Sequence, residues 1–533
     1  EVTPQPAERC TTAEDDDFDG QSNESPPCVC TAQETRACYS GPAGTQGVGR
    51  CRAGSQACAT SGEAWEAACT GELLPEYERC DGTDRDCDGA SICTGAWTWS
   101  TPLSGGPENQ SNESTLSASD VAVDAQGNVF LTGTFDKSIS LGGTLYTGNG
   151  YTDLFLVKLN SAGAFQWGKV FGDAQAQQVR ALTVDAAGRV IVVGFFQGSV
   201  NFGGTALTAT GVDGFVAVFT SAGEHVWSAR FAADTNLQPS DVAVDGAGNV
   251  LVAGNFSGSF PCLSTTACTS TSNSQDFFVR AYSSEGTERW TRTFGGAGLE
   301  QVNGLAVNGT GELALVGSFT EGFSLGASCP ALTHAGGEDG FVAKLSTTGA
   351  CVWSQRFGDS VNQQATTVAM NGAGEVFFAG NYQGTVTFGV TSHSSLGGYD
   401  LFVVKLDAQG GAQWSRGFGA AQDQTVTSLV LEPVGNLVLA GSFLGTFNLG
   451  GSSLNAGLRT RDMFVAKLSA THSGSHVWSR DFGDADEQVV KGLAVGPQAQ
   501  VVVTGDFGGE INFGGAAHLS AGVFDVVVAR LKP

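Results

Sequence analysis

The chain has 533 residues, 41% of them hydrophobic and only 15% charged, with 76 glycines and 14 cysteines. That length makes room for more than one domain. The net charge of −27 argues against nucleic acid and anionic membrane surfaces as partners, because both repel a polyanion; it suits a chain that meets cations. No run of 18 apolar residues occurs, so no membrane-spanning helix is expected. The first residue is Glu1 rather than Met, which reads as a mature chain whose export signal has been removed, with an outer-membrane lipid anchor one way to hold it.

Residues 1–95 form the first region. They hold 18 acidic and 6 basic residues, a net of −12, and ten of the 14 cysteines, all between residues 10 and 93. Dense and even cysteine usage in a short segment reads as a disulfide framework made in an oxidising compartment. Zinc or copper fits poorly. No CxxC pair is present, and no histidine precedes His225. Oxygen ligands are plentiful instead. In EDDDFDG, Asp15, Asp17 and Asp19 alternate before Gly20; in CDGTDRDCDG, Asp84, Asp86 and Asp88 alternate before Gly89, with Asp81 close by. Alternate carboxylates on a tight loop converge on one cation, and glycine permits the sharp turn, so Ca²⁺ is the expected ion. The twelfth positions are Pro26 and Gly95. Neither supplies the bidentate Glu of an EF-hand, so a weaker, extracellular type of affinity is expected.

With ACYSGPAGTQGVGRC (37–51) and WEAACTGELLPEYERCDG (65–82), this stretch resembles the cysteine-rich metal-binding modules of myxobacterial secreted proteins. Its CDGxDxDCDG run is similar to thrombospondin type 3 calcium repeats. The resemblance implies a small, metal-stabilised extracellular module.

From residue 96 onward the chain repeats. Seven copies of one strand appear: DLFLVKL (153–159), DGFVAVF (213–219), DFFVRAY (276–282), DGFVAKL (339–345), DLFVVKL (400–406), DMFVAKL (462–468) and DVVVARL (525–531). They start 60 to 63 residues apart. A fixed period of this length marks a repeat architecture. Between copies the chain shows short runs of β-branched and aromatic residues bounded by turn signals, such as GN in VDAQGNVFLTG, where glycine supplies the positive φ of a hairpin. Four strands per unit, radially repeated, make a β-propeller blade. Both faces of such a strand are buried between blades, which accounts for the absence of strict alternation. Each copy is followed by a WSxxF-like strand at Trp167, Trp227, Trp290, Trp353, Trp414 and Trp478, but DVVVARL is not. The missing strand lies at the front, around Trp97 and Trp99. The N-terminal strand is therefore expected to complete the last blade and leave no open edge.

The units resemble the bacterial seven-bladed β-propeller repeat family, with its AVDxxGNVxVTGxF, FGG and DxFVAKL signatures, over residues 96–533. The resemblance implies the fold and a secreted or surface setting, without one activity. The expected class is all-β: a seven-bladed propeller (96–533) behind a disulfide-rich, loop-rich, calcium-binding module (1–95).

Chemistry in the repeats is sparse. Asp153, Asp213, Asp276, Asp339, Asp400, Asp462 and Asp525 recur in every unit, which suits a structural bond to a nearby turn rather than catalysis. Cys262 and Cys268 are placed to close a small loop, and Cys329 and Cys351 to pin an excursion to its outer strand. His472 and His476 share one loop and read as exposed. Five loops before the innermost strands end in glutamine: Gln178, Gln301, Gln364, Gln424 and Gln488. These are expected at one mouth of the central channel, to bind a glycan or protein or to tie each loop to its neighbour. No GxSxG, HExxH or phosphate-binding loop is present. The expected function is a non-enzymatic binding or scaffold protein, extracellular or on the cell surface. The alternatives are a structural subunit of an appendage, self-assembling through residues 1–95, and a propeller lyase or glycan-active enzyme.

Overall fold

The computed structural model describes residues 30, 34–41, 44–59, 64–74, 84, 94–105, 114–232, 234–262, 268–270, 274–433 and 435–533. The chain forms two compact units, Glu1–Cys93 and Thr94–Pro533. Among the described residues both are all-β, without a helix.

In the first unit, Thr35–Cys38 pairs antiparallel with Gly54–Ala57. Isolated bridges join Arg52 to Leu73, Ser55 to Thr70 and Cys58 to Trp65. So small a sheet has little core of its own. Disulfides Cys30–Cys58 and Cys38–Cys69 fasten it, Cys51 is disulfide-bonded too, and the Arg36 guanidinium lies 4.5 Å over the Trp65 ring.

The second unit is a seven-bladed propeller. Blade 1 runs from its innermost strand outward as Leu116–Val123, Val129–Phe135, Asp153–Leu159 and Phe165–Phe171. Blades 2 to 6 repeat that meander, with innermost strands Gln177–Val184, Asn236–Val244, Glu300–Val307, Gln363–Met370 and Gln424–Leu431. The third strands Asp213–Phe219, Asp276–Tyr282 and Asp339–Leu345 are buried at every residue. Each of their faces meets a different neighbouring blade, so the hydrophobic cores lie between blades. The disulfides Cys262–Cys268 and Cys329–Cys351 form as expected.

Blade 7 closes the ring with both ends of the unit. Its order is Gln488–Val495, Val501–Phe507, Asp525–Leu531, then Trp97–Leu103. Trp99 pairs with Arg530 and Leu103 with Val526. Thr94 N–H donates to the Pro533 carbonyl at 3.1 Å, and Lys532 N–H to the Ala96 carbonyl at 2.7 Å.

One contact joins every blade to the next. The outer-strand tryptophan of each blade lies on a glycine in the turn before the outer strand of the following blade. The pairs are Trp99 on Gly163, Trp167 on Gly223, Trp227 on Gly286, Trp290 on Gly349, Trp353 on Gly410, Trp414 on Gly474 and Trp478 on Gly95. These glycines have φ between +59° and +88°, where a side chain is strained. A Cβ there would come within 2.6 to 3.2 Å of the indole. Five of the indoles also donate Nε1–H to the same turn: Trp99 and Trp167 to Ser161 and Ser221, Trp227 to Ser284, Trp353 to Ala408 and Trp414 to Ala470, at 3.0 to 3.2 Å. At the seam no continuous turn exists. Gly95, the twelfth position of the second acidic loop, supplies the glycine from the N-terminal side, and Trp478 Nε1 has no acceptor among the described residues. Arg480 donates to the Thr94 carbonyl at 2.8 and 3.1 Å.

A chain that starts at Ser104 should therefore be less stable by several kcal/mol than one that starts at Thr94, since it loses the outer strand and the contacts of two indoles. Denaturant unfolding of the two would settle this, and equal midpoints would contradict the seam.

Candidate functional site: the central channel

The innermost strands of all seven blades carry a β-bulge at the same place. The register breaks between Ala118 and Asp120, Val179 and Ala181, Pro239 and Asp241, Val302 and Gly304, Ala365 and Thr367, Val426 and Ser428, and Val490 and Gly492. A bulge inserts one unpaired residue and re-aims its side chain. The seven bulged residues are Ser119, Arg180, Ser240, Asn303, Thr366, Thr427 and Lys491, and all seven line one central cavity of about 270 Å³. These residues form the candidate site. In the sequence they stand as a variable polar column inside otherwise similar strands (ASD, VRA, PSD, VNG, ATT, VTS, VKG). That variability was the available signal, and the expectation had fallen on the glutamines instead.

The residues around the bulges clamp blade to blade. Asn255 and Asn381 accept the N–H of Val302 and Val426 in the next blade, each at 2.9 Å. Ser442 accepts from Val490 at 3.2 Å, and Asp506 from Ala118 at 2.7 Å. Blade 2 has Phe195 at this position and blade 3 has Pro239 at the receiving one. An apolar side chain faces a residue without an N–H, so nothing is left unsatisfied. A second clamp lies just past the bulge. Asp120 accepts from Leu182 at 2.9 Å, Asp241 from Leu305 at 2.7 Å and Thr367 from Leu429 at 3.1 Å. Burial pushes Asp120 and Asp241 up to about 7, because a carboxylate is charged only at a cost away from water.

The five glutamines of the sequence reading separate into two sets. Gln178, Gln301 and Gln364 are half-exposed at the second position of their strands, and Gln178 lines a cavity at the channel wall. Gln238 of blade 3, the third residue of its strand, stands like them two residues before the bulge. Gln424 and Gln488 stand one residue earlier, fully buried, together with Gln177, Gln363 and Glu300. Successive strand residues point to opposite sides, so these five face the loop. Gln177 Nε2–H donates to Asp173 at 2.7 Å and Gln363 to Asp359 at 2.7 Å. Gln424 donates to the Gln422 carbonyl and accepts from Ala420 N–H, both at 2.7 Å, and Gln488 donates to Asp484 at 2.8 Å. Gln424 and Gln488 are thus loop ties, not channel-mouth groups.

The recurrent aspartates also tie turns. Asp153, Asp339, Asp400 and Asp525 accept from Asn149, Ala335, Leu396 and Ala521 N–H at 2.6 to 2.8 Å. His476 bonds Ser479 at 3.0 Å, and His472 bonds Thr471 at 3.0 Å. Of the acidic-loop residues, Asp15, Asp17, Asp19, Asp81, Asp86 and Asp88 lie outside the described residues. Asp84 is buried, and its carbonyl accepts from Arg50 N–H at 3.0 Å. Among the described residues no group of three or more His, Cys, Asp or Glu is close enough to hold a metal ion.

No family model matches the chain. A WD repeat-containing protein of Acanthamoeba polyphaga mimivirus is 20% identical over 456 residues, which cover 67% of this chain and 32% of that one. The chain thus spans about a third of that relative's length. Among solved structures, a Dyadobacter fermentans protein of unknown function aligns with a TM-score of 0.37 at 10% identity, over 82% of this chain and 98% of its own. YCF48 bound to D1 peptide aligns with a TM-score of 0.36 at 8% identity, over 83% and 98%.

The raised carboxyls set a pH dependence. In the fold Asp120 and Asp241 keep their protons up to about 7, whereas in the unfolded chain they lose them near pH 4. The folded state then binds more protons than the unfolded one, and stability falls as pH rises between those values. Thermal unfolding from pH 4 to 8 should show that decline, and the Asp120→Asn/Asp241→Asn double variant should show a shallower one. An unchanged slope would contradict burial as the cause.

Proposed function

We propose that the chain is a secreted or cell-surface binding protein without catalytic activity, whose propeller channel takes a glycan or a protein segment and whose first unit is stabilised by Ca²⁺. The observation that carries this reading is the bulge column. Seven equivalent backbone positions, with hydrogen bonds across six of the seven blade junctions, present seven polar side chains of five different kinds to one cavity. A scaffold with a freely varied lining suits recognition. Catalysis asks instead for an acid, base or nucleophile within hydrogen-bond reach of its partner. Asp120 and Asp241, the carboxyls of the wall, are spent on backbone N–H groups.

The setting rests on the cysteines. All nine described ones are disulfide-bonded, which suits an oxidising compartment. No helix among the described residues is long and apolar enough to cross a membrane. Calcium rests on the oxygen-rich loop around Asp81, Asp84, Asp86 and Asp88. Four carboxylates in so short a stretch repel one another, and a divalent cation relieves that repulsion in the folded loop alone.

Two measurements test the reading. Screening the purified full chain against arrays of glycans and surface proteins, while following any bound glycan by NMR, should give binding without turnover. Product formation would move the protein among enzymes, and no captured ligand would remove the binding role. Calorimetric titration of the full chain with Ca²⁺ should show binding in roughly the micromolar to millimolar range, weakened in Asp86→Ala. Identical heats from both chains would leave the loop a solvated acidic turn.

A further inference from the structure

Most polar side chains of the channel wall are bonded within the protein. Asn303 Nδ2–H donates to the Ala365 carbonyl at 2.9 Å, Thr366 to Val426 at 3.2 Å and Ser240 to Ala253 at 3.3 Å. Above them Gln301 donates to Gln275 at 2.8 Å, Gln364 to Glu338 at 2.7 Å and Gln238 to Asn236 at 3.1 Å. One sector differs. Where blades 7, 1 and 2 meet, Ser117, Ala118, Ser119, Thr134, Gln178, Val179, Arg180 and Lys491 enclose a cavity of about 310 Å³. The side chains of Ser119, Thr134, Gln178 and Arg180 make no hydrogen bond or ion pair among the described residues. Thr427 and Ser428 of blade 6 are likewise unbonded among the described residues, but this sector gathers four such side chains around one cavity.

The charges of the sector are unequal. Lys491 Nζ lies 3.2 Å from Asp506 Oδ2. Asp506 also accepts from the Ser117 hydroxyl and from Ala118 N–H, both at 2.7 Å. Its negative charge is thus spent. Among the described residues Arg180 has no ion-pair partner. Its guanidinium lies 5.1 Å over the ring of Phe195, and the residue is exposed. Phe195 stands where other blades carry a clamp acceptor, and Pro239 beyond it needs none. The pair releases blade 2 from the clamp and gives the cation a flat aromatic support. In a chain of net charge −27, a supported arginine without a counter-ion marks a place for an anion from outside.

From these groups we infer that the Arg180–Lys491 corner binds the carboxylate of an acidic sugar residue. The inference rests on the reading of the channel as a binding site and names its ligand. A planar guanidinium fork pairs with a planar carboxylate through two parallel N–H···O bonds. Lys491, already paired with Asp506, borders the same cavity beyond Ser119. Ser119, Thr134 and Gln178 both donate and accept, as the hydroxyls of a sugar do. The cavity is at the small end of ligand pockets, room for one sugar residue. Its polar lining offers no apolar wall for the side chains of a peptide.

Calorimetry on the full chain tests this with galacturonate and digalacturonate against galactose, inorganic sulfate and an acetylated glutamyl dipeptide. The uronates should bind, and Arg180→Gln should weaken them about 10- to 100-fold, the value of a charged hydrogen-bonded pair. Raised salt should weaken them further. Gln166→Ala, exposed on the outer strand of blade 1, should leave them unchanged, and circular dichroism should show both variants folded. Equal uronate affinity in wild type and Arg180→Gln would overturn the inference while leaving the wider binding role intact. So would equal binding of sulfate or the glutamyl dipeptide. Wild-type protein that binds no saccharide at all would overturn the inference and the glycan arm of the wider reading together.

Discussion

The contact on which the propeller depends is an indole lying on a glycine. A four-stranded blade is apolar on both faces and cannot stand alone in water. Its neighbours must be held at one spacing and one angle, seven times over. Each outer-strand tryptophan does this by lying across a turn whose glycine has neither a Cβ to collide with it nor strain at positive φ. The ring closes because the sequence around Thr94 and Gly95 supplies the seventh such turn from the opposite end of the unit. Gly95 there touches Trp478 as Gly163 touches Trp99. Among the described residues the indole of Trp478 has no acceptor, and the Arg480 guanidinium takes the Thr94 carbonyl.

The inner wall follows from that spacing. With the blades fixed from outside, one side chain per blade can reach across and hold the bulge of the next, as Asn255 holds Val302 and Asn381 holds Val426. Of the bulged residues only Asn303 and Thr366 add a bond to the next blade; the position does not require one. It is free to be Ser, Asn, Thr, Lys or Arg, and its variation changes the channel without changing the fold. Phe195 and Pro239 show the same freedom one step further. Donor and acceptor are lost together, the wall still closes, and Arg180 gains a surface to lie on.

The blade count and the displaced strand were legible in the sequence for a physical reason. Strands such as DGFVAKL, apolar on both faces, require a partner on each side, and WTWSTPL could complete only the unit that lacked its tryptophan strand. The bulges were not legible, because a bulge is a backbone event that any residue can occupy. The glutamines were half legible. Where two polar residues adjoin, as in Gln177–Gln178 and Gln363–Gln364, taking the last one selects the channel side. In GAAQDQ and GDADEQ the closing glutamine, Gln424 or Gln488, is the buried loop tie. One residue of offset moves a strand side chain from water to core. The acidic loops were read from carboxylate spacing alone, and of their residues only Asp84 falls in the described structure.

The most direct test of this account is amide hydrogen exchange along the full chain. If the tryptophan–glycine contacts lock every junction, the third strand of blade 7, Asp525–Leu531, should exchange as slowly as Asp339–Leu345 in blade 4. Trp97–Leu103 should then match the other outer strands. Markedly faster exchange confined to blade 7 would show that the seam is not latched, and that the ring is held by six junctions rather than seven.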